Sequence, residues 1–251
     1  MAEQPARHFG ETLRASKYSF RLVRDEYALI NRKPSTRLPR DLCSDALWAA
    51  QDWAFEDEDH TRFSDEYYND QQAAALENFD LNMAFFAQLS GREFLETLNE
   101  MLRQHHNLRP VTDLTTVDGV EGAYVMVLDR YKQAYIGQAC DIRARIKRHW
   151  GGTKQFDRLI FGDMNSSVLS IDSFRARDTT RIFAAKTSRG LQMEERLVNA
   201  FPADFLINRV PGGDRIMGSR FLPSEVKRRQ LVPESEPAVD GELTPARPAT
   251  D

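Results

Sequence analysis

The pattern of apolar and polar residues predicts a β-hairpin followed by a helix over residues 122–150. Residues 125–128 form an apolar run of strand length, residues 129–133 are polar and turn-like, and residues 134–137 form a second short strand. Asp141 is a suitable N-cap for the helix. An apolar stripe at helical spacing runs through Ile142, Ile146 and Trp150, with Arg145, Arg148 and His149 beside it.

Further helices are predicted at residues 41–55, 65–89, 90–106 and 188–200, and a third strand at 168–171. The first helix is expected to turn one apolar face inward, made of Leu42, Ala46, Leu47, Ala50 and either Trp53 or Ala54. The sequence Ser90-Gly91-Arg92-Glu93 has the form of a capping box and predicts the start of the third helix.

These elements suggest four parts of the chain. Residues 1–40 are a basic N-terminal segment, 41–110 an acidic α-helical unit, 118–215 a mixed domain, and 223–251 a disordered tail rich in proline and acidic residues. Residues 31–40 form a proline-bounded basic loop, which is either a solvated linker or an arm for a DNA backbone.

Composition narrows the class of protein. The chain has 251 residues, and no apolar run approaches the length of a membrane span. The first ten residues lack the apolar core of a secretory signal, so a cytoplasmic location is expected. Cys43 and Cys140 are the two cysteines, which argues against a disulfide framework and a zinc site of paired cysteines.

Charge is distributed unevenly along the chain. The formal net charge is −4, which is unexpected for a protein that binds nucleic acid. Residues 41–80, however, carry twelve acidic residues against the single basic residue Arg62. Residues 118–215 carry sixteen lysines and arginines against twelve acids, so the mixed domain is the positive part.

Glu194 is the most informative single position. On a helical wheel it lies at the centre of an apolar stripe formed by Leu191, Leu197, Val198 and Phe201. A buried carboxylate needs a partner, and a divalent metal or an arginine would serve. Glu195 points about 100° away, toward solvent. A buried Glu–Arg ion pair remains an alternative to a metal site.

Two short motifs, Gly122-Ala123-Tyr124 and Tyr135-Ile136-Gly137, place two tyrosines eleven residues apart on the predicted hairpin. With these motifs, residues 118–212 resemble the GIY-YIG nuclease domain. The family's arginine falls on Arg145, its metal-binding glutamate on Glu194, and its asparagine on Asn208. The resemblance implies an α+β fold, in which a three-stranded antiparallel sheet is flanked by helices and preceded by the all-α unit.

The resemblance also implies a metal-dependent endonuclease that hydrolyses DNA phosphodiesters. Tyr124 would act as base or position the water, Tyr135 would orient that water or contact the phosphate, and Arg145 would stabilise the phosphate. Asn208 would hold the site through side-chain to backbone hydrogen bonds. Candidate catalytic residues are therefore Tyr124, Tyr135, Arg145, His149 and Asn208, with Glu194 holding one Mg²⁺ or Mn²⁺ ion and Arg143, Lys147 and Arg148 contacting DNA.

Three further hypotheses follow from the sequence. The chain could be a non-catalytic module that binds nucleic acid or protein and retains this fold. The acidic helical unit could cover the basic cleft and restrain the enzyme. Residues 154–186, for which the resemblance supplies no role, are the expected seat of substrate choice because loops carry specificity. Arg143 and Lys147 also fit an ordinary surface role.

Overall fold

The central sheet has four antiparallel strands. The computed structural model describes residues 5–14, 19–28, 32–34, 39–151 and 169–208. Within them, the sheet comprises β3 (Arg109–Pro110), β4 (Gly122–Leu128), β5 (Gln133–Ala139) and β6 (Arg181–Lys186), in the order β3-β6-β4-β5. Strands β1 (Ala6–His8) and β2 (Glu11–Leu13) form a separate hairpin.

Six α-helices accompany the strands in the described residues. They are α1 (Arg24–Tyr27), α2 (Asp45–Ala49), α3 (Asp65–Gln88), α4 (Gly91–Gln104), α5 (Ile142–Gly151) and α6 (Gly190–Ala200). The predicted mixture of helices and antiparallel sheet is confirmed, but the sheets have four and two strands, in place of the one three-stranded sheet predicted.

The predicted hairpin and its helix are both present. Strands β4 and β5 pair along their whole length, and Lys132 closes the turn in the left-handed region at φ 52°. Asp141 accepts a hydrogen bond from the backbone N–H of Ala144 at 3.0 Å, as an N-cap should. Ile142, Ile146 and Trp150 are all buried, so the apolar stripe of α5 faces the core.

The prediction of a third strand at residues 168–171 is wrong. Val168 lies outside the described residues, and Leu169 and Ser170 lead into a 3₁₀ turn at Ile171–Ser173. The strand that pairs with β4 on the side opposite β5 is β6, which the sequence had not indicated. The apolar run is nevertheless buried, because every residue from 169 to 174 packs inside the protein.

Helices cover both faces of the sheet. Side chains of β4 alternate between two apolar clusters, with Tyr124, Met126 and Leu128 on one face and Ala123, Val125 and Val127 on the other. The first face packs against α5, the loop at 169–176 and part of α3, and the second packs against α4 and α6. Strand β4 is therefore buried along its entire length.

Apolar side chains on both sides of the predicted boundary between 41–110 and 118–215 share these clusters. Phe94, Leu98 and Met101 of α4 pack with residues of β4 and α6. Phe85 and Phe86 of α3 belong to the cluster that contains Tyr124. The predicted helices at 65–89 and 90–106 are confirmed within two residues, and Ser90 Oγ accepts from the N–H of Glu93 at 3.3 Å.

The predicted helix at residues 41–55 is mostly wrong. The region contains only the five-residue α2, flanked by 3₁₀ turns at Arg40–Leu42 and Asp52–Ala54. The expected inward face is largely in solvent, since Leu42 is 76% exposed and Trp53 is 56% exposed. Ala54 alone of that set is buried. Helical spacing of apolar residues thus does not create a helix where no second surface covers them.

The described parts of the N-terminal segment pack onto the rest of the chain. Phe20, Leu22, Tyr27 and Ala28 are buried, and the N–H of Leu22 donates to the Asp178 carboxylate at 2.8 Å. In the basic loop, Arg32 pairs with Asp65 and lies over the Tyr68 ring. The predicted disordered tail at 223–251 lies outside the described residues.

Among the helices that are described, none combines the length and apolar character needed to cross a bilayer.

Truncating a core residue of α4 tests whether this helix shares its core with the sheet. Leu98→Ala should lower the free energy of unfolding by about 2–5 kcal/mol, because the Leu98 side chain is fully buried against the sheet. Leu95→Ala on the same helix should cost less than about 1 kcal/mol, since Leu95 is 44% exposed. Urea unfolding followed by fluorescence measures both, and equal losses would contradict this packing.

Candidate functional site

The two tyrosines lie on the same face of the sheet. Tyr124 is paired with Gly137 across the hairpin, and Met126 is paired with Tyr135. Since side chains alternate along a strand, Tyr135 and Tyr124 are diagonal neighbours. Their ring centroids are 6.2 Å apart. Tyr124 is fully buried and Tyr135 is partly exposed, so Tyr135 is the outer member of the pair.

Two glycines permit this arrangement. A Cβ atom on Gly137 would lie 2.6 Å from the Tyr124 hydroxyl and 2.9 Å from Cε1 of Tyr135. A Cβ atom on Gly122 would lie 2.0 Å from the carbonyl oxygen of Ala185 on β6. Gly122 therefore lets the backbone of β4 approach that of β6, whereas Gly137 makes room for the ring of Tyr124.

A buried chain of hydrogen bonds runs from Tyr124 through His149 to Asp172. The Tyr124 hydroxyl is 2.9 Å from His149 Nε2, and His149 Nδ1 is 2.7 Å from Asp172 Oδ1. All three side chains are buried. Helix α5 supplies His149, and the 3₁₀ turn at Ile171–Ser173 supplies Asp172. His149 also lies against Tyr135, with ring centroids 5.1 Å apart.

Arg145 lies one helical turn before His149, close enough to interact with the hydroxyls of both tyrosines. Burial acts to lower the pKa of its guanidinium, but the interactions with Tyr124 and Tyr135 outweigh burial and leave that pKa raised. Arg145 is partly exposed. It therefore places a permanent positive charge beside the two hydroxyls, on the side of the cluster that reaches solvent.

Burial keeps both tyrosines protonated. It raises the pKa of Tyr124 well above its ordinary value, with a further increase from Tyr135 and Glu194 that Arg145 only partly opposes. Burial, and next the charge of Glu194, raise the pKa of Tyr135 to about 12. A tyrosine that acts as a base needs nearby positive charge to lower its pKa. In the resting protein, the pKa of both tyrosines is raised instead. A proton leaving Tyr124 therefore needs an acceptor within hydrogen-bond distance.

Glu194 is buried in the apolar stripe of α6, as its periodicity predicted. Met193, Leu197, Val198 and Phe201 are buried around it, and Glu195 is exposed. Leu191, which was expected in the same stripe, is 52% exposed. The negative charge of Glu194 raises the pKa of both Tyr124 and Tyr135, so this carboxylate belongs to the same electrostatic site.

Asn208 makes the expected side-chain to backbone hydrogen bonds. Its Oδ1 accepts from the N–H of Ile136 at 2.9 Å, and its Nδ2 donates to the carbonyl of Ile136 at 2.5 Å. The backbone N–H of Ile207 also donates to Ala134. These contacts fix β5 next to Tyr135 and cover part of the outer edge of the sheet.

The side chains at this site suit a metal ion that is bound mainly by water and substrate and by few protein ligands. In the described part of the chain, no group of three or more His, Cys, Asp or Glu side chains is placed to hold a metal ion. A cage of several protein ligands is therefore absent there. Mg²⁺ is commonly bound by one or two carboxylates together with water and substrate phosphate. Glu194, which is buried and acts electrostatically on both tyrosines, fits that mode as the carboxylate.

Two of the three predicted DNA-contacting residues are paired within the protein. Glu11 of the β1–β2 hairpin accepts from Arg143 at 2.6 Å and from Lys147 at 2.9 Å. Arg143 also lies 3.0 Å from Asp118. These partners lie outside the acidic helical unit at 41–110, which was the hypothetical cover of the basic cleft. Arg148, the third predicted residue, is exposed.

Sequence reasoning missed Asp172 and Glu11. Asp172 stands in the half-polar stretch Leu169-Ser170-Ile171-Asp172-Ser173-Phe174, where no helical stripe of apolar residues marks it as Glu194 is marked. Glu11 gives no local signal either, because its partners are more than 130 residues away. Residues 154–168 of the segment expected to set specificity lie outside the described residues.

Comparison of the chain with protein-family models, with curated proteins and with solved structures finds no match. The arrangement of the site residues is therefore the basis on which a function can be argued.

Gly137→Ala tests the contact between the hairpin and Tyr124. The added Cβ would overlap the Tyr124 ring, so we expect a loss of about 1–3 kcal/mol in the free energy of unfolding. Gly151→Ala is the control, because nothing lies within 4 Å of the added atom at the end of α5. Urea unfolding measures both variants. A Gly137→Ala protein as stable as the control would contradict the observed position of Tyr124.

Glu11→Gln tests the ion pairs between the N-terminal hairpin and α5. Hydrogen bonding from Arg143, followed by Lys147, lowers the pKa of Glu11 against the opposing effect of burial. The stabilisation is therefore complete above the ordinary pKa of a glutamate, near 4.5, and is lost as pH falls through the lowered value. Glu11→Gln should cost about 1 kcal/mol at pH 7, and the difference from wild type should shrink below pH 4.5.

Urea unfolding at pH 7 and at pH 3.5 provides the measurement. Glu96→Gln on α4 is the matched control, since Glu96 is exposed and lies 3.8 Å from its partner Arg92. An equal deficit for Glu11→Gln at both pH values would show that its charge is not what stabilises the hairpin.

Proposed function

We propose that this protein is a GIY-YIG-type endonuclease that hydrolyses DNA phosphodiester bonds with the aid of one Mg²⁺ or Mn²⁺ ion. The observation that carries the proposal is the convergence of Arg145 on both tyrosines, with His149 within hydrogen-bond distance of Tyr124. Residues 124, 135, 145 and 149 come from the two hairpin strands and α5, and the charge of Glu194 reaches them from α6.

Water activation is assigned to Tyr124 together with His149. Because the pKa of Tyr124 is raised, its hydroxyl cannot act as a base by losing its proton in advance. As a water molecule gives a proton to the Tyr124 oxygen, the phenolic proton passes to His149 Nε2, 2.9 Å away. The resulting hydroxide forms the new P–O bond as the bond to the leaving oxygen breaks, and the leaving oxygen takes a proton from solvent. After the products leave, His149 returns its proton to Tyr124, and the tyrosine releases one to solvent.

Phosphate binding is assigned to Arg145 and Tyr135. A guanidinium binds two phosphate oxygens at once, and that of Arg145 lies close to both tyrosine hydroxyls. Both residues are partly exposed, while Tyr124 lies behind them. The scissile phosphate therefore meets Arg145 and Tyr135 first, and the charge that develops on its oxygens is stabilised by a cation already in place.

Glu194 is assigned to the metal. A bound Mg²⁺ would supply electrostatic stabilisation of the phosphate oxygens and of the leaving oxygen. Asn208 is a positioning residue that holds β5 through Ile136. Arg148 is exposed on α5 and suits contact with a DNA backbone, whereas Arg143 and Lys147 would have to leave Glu11 to do so.

Nicking of supercoiled plasmid DNA tests the proposal. The wild-type protein should nick DNA with Mg²⁺ or Mn²⁺ and should be inactive with EDTA. Glu194→Gln should lower the rate by about 10²-fold or more. Glu195→Gln is the matched control, because Glu195 is the exposed neighbour on the same helix, and it should retain full activity.

DNA binding measured in the same preparations separates this function from its alternative. A protein that binds DNA in a salt-dependent manner, and does not nick duplex, branched or single-stranded DNA with either metal, would be the non-catalytic module. Equal rates for the two glutamate variants would remove Glu194 from the site.

A further inference from the structure

We infer that Asp172 is a positioning residue that fixes the orientation and tautomer of His149, so that Nδ1 carries the proton and Nε2 is free to accept one from Tyr124. Tyr124, His149 and Asp172 then form a relay comparable in logic to the Ser-His-Asp arrangement of hydrolases. The resemblance to the GIY-YIG family gives no role to Asp172.

Asp172 is held firmly where it meets His149. Ser170 caps the 3₁₀ turn by accepting from the N–H of Asp172 at 3.2 Å, and the N–H of Ser173 donates to the carbonyl of Ser170 at 3.0 Å. Ile171 and Phe174 on either side are anchored in the core cluster that also contains Tyr124. The carboxylate therefore cannot turn away to solvent without dislodging buried apolar side chains.

Hydrogen-bond chemistry then selects one arrangement of protons. The Tyr124 hydroxyl lies within hydrogen-bond distance of His149 Nε2, and Arg145 beside it can only donate, so a contact with Arg145 uses a lone pair of the Tyr124 oxygen and leaves the phenolic proton for His149 Nε2. If Nε2 accepts, the neutral imidazole must carry its proton on Nδ1. That N–H faces Asp172 Oδ1 at 2.7 Å, a distance typical of a hydrogen bond to a carboxylate.

The arrangement has a direct consequence for the relay. With Nδ1 protonated and bonded to Asp172, the lone pair of Nε2 points at the tyrosine, and the imidazolium that forms on proton transfer is stabilised by the carboxylate. Without the carboxylate, the imidazole can place its proton on Nε2, where it blocks transfer. The effect on cleavage rests on the proposed function, whereas the tautomer of the resting protein does not.

The ¹⁵N NMR shifts of the histidine rings report the tautomer without metal or substrate. In the wild-type protein, the His149 signals should show a protonated Nδ1 and an unprotonated Nε2 at neutral pH. They are identified among the five histidines by their loss in His149→Gln. Asp172→Asn keeps the side-chain volume, and it should shift His149 toward the tautomer with Nε2 protonated.

Asp178→Asn is the matched control. Asp178 is an equally buried aspartate, and its partners are Tyr131 and the backbone of Leu22 and Arg175. It should leave the His149 ring shifts unchanged. A wild-type His149 protonated on Nε2 would overturn the inference, and this measurement stands even where Asp172→Asn fails to fold.

Cleavage kinetics separate the role proposed for Asp172 from the proposed nuclease function. Where the wild type nicks DNA, Asp172→Asn should lower the rate about 10²-fold or more while the dissociation constant for DNA stays within about twofold. Unchanged cleavage by Asp172→Asn would overturn the role of Asp172 and leave the nuclease function intact. A wild-type protein with the expected tautomer and no cleavage would instead overturn the nuclease function alone.

Discussion

The hydrogen bonds from Tyr124 to His149 and from His149 to Asp172 add a polar link between three parts of the chain that also share an apolar cluster. Tyr124 belongs to the central strand, His149 to helix α5, and Asp172 behind it to a loop. Because Tyr124 and His149 are fully enclosed, each polar atom must find its partner inside the protein, and a missing partner costs about 1–3 kcal/mol. The pairing of β4 with β5, the rotation of α5 and the path of the loop are therefore constrained by the same few atoms.

Patterns within a few neighbouring residues predicted the hairpin and the helix that follows it. The hairpin, the Asp141 cap and the stripe of α5 depend on periodicity and capping within a few residues, and the structure contains all three. Glu194 was recognised as buried because its neighbours on one helix are apolar. The resemblance identified Tyr124, Tyr135 and Arg145 as a group, and these residues do lie together.

The remaining elements depend on contacts between distant segments, which limited what the sequence could predict. Residues 169–171 are apolar because they fill the core from a loop, and periodicity cannot distinguish such a run from a strand. Strand β6 acquires its identity from pairing with β4. In the region of α2, apolar residues at helical spacing remain in solvent. Asp172 and Glu11 meet partners 23 and more than 130 residues away, which no local pattern contains.

Glu11 gives helix α5 a counterion that belongs to the protein itself. A protein that binds a polyanion gains free energy chiefly by releasing the small cations condensed on it, and each unpaired basic side chain adds to the dependence on salt. Arg143 and Lys147 already share a carboxylate, so a phosphate that reaches them replaces one ion pair with another. If the protein binds DNA as proposed, the steepness of the salt dependence of binding would depend on the N-terminal hairpin as well as on α5. Displacing that hairpin would free Lys147, whereas Arg143 would still pair with Asp118.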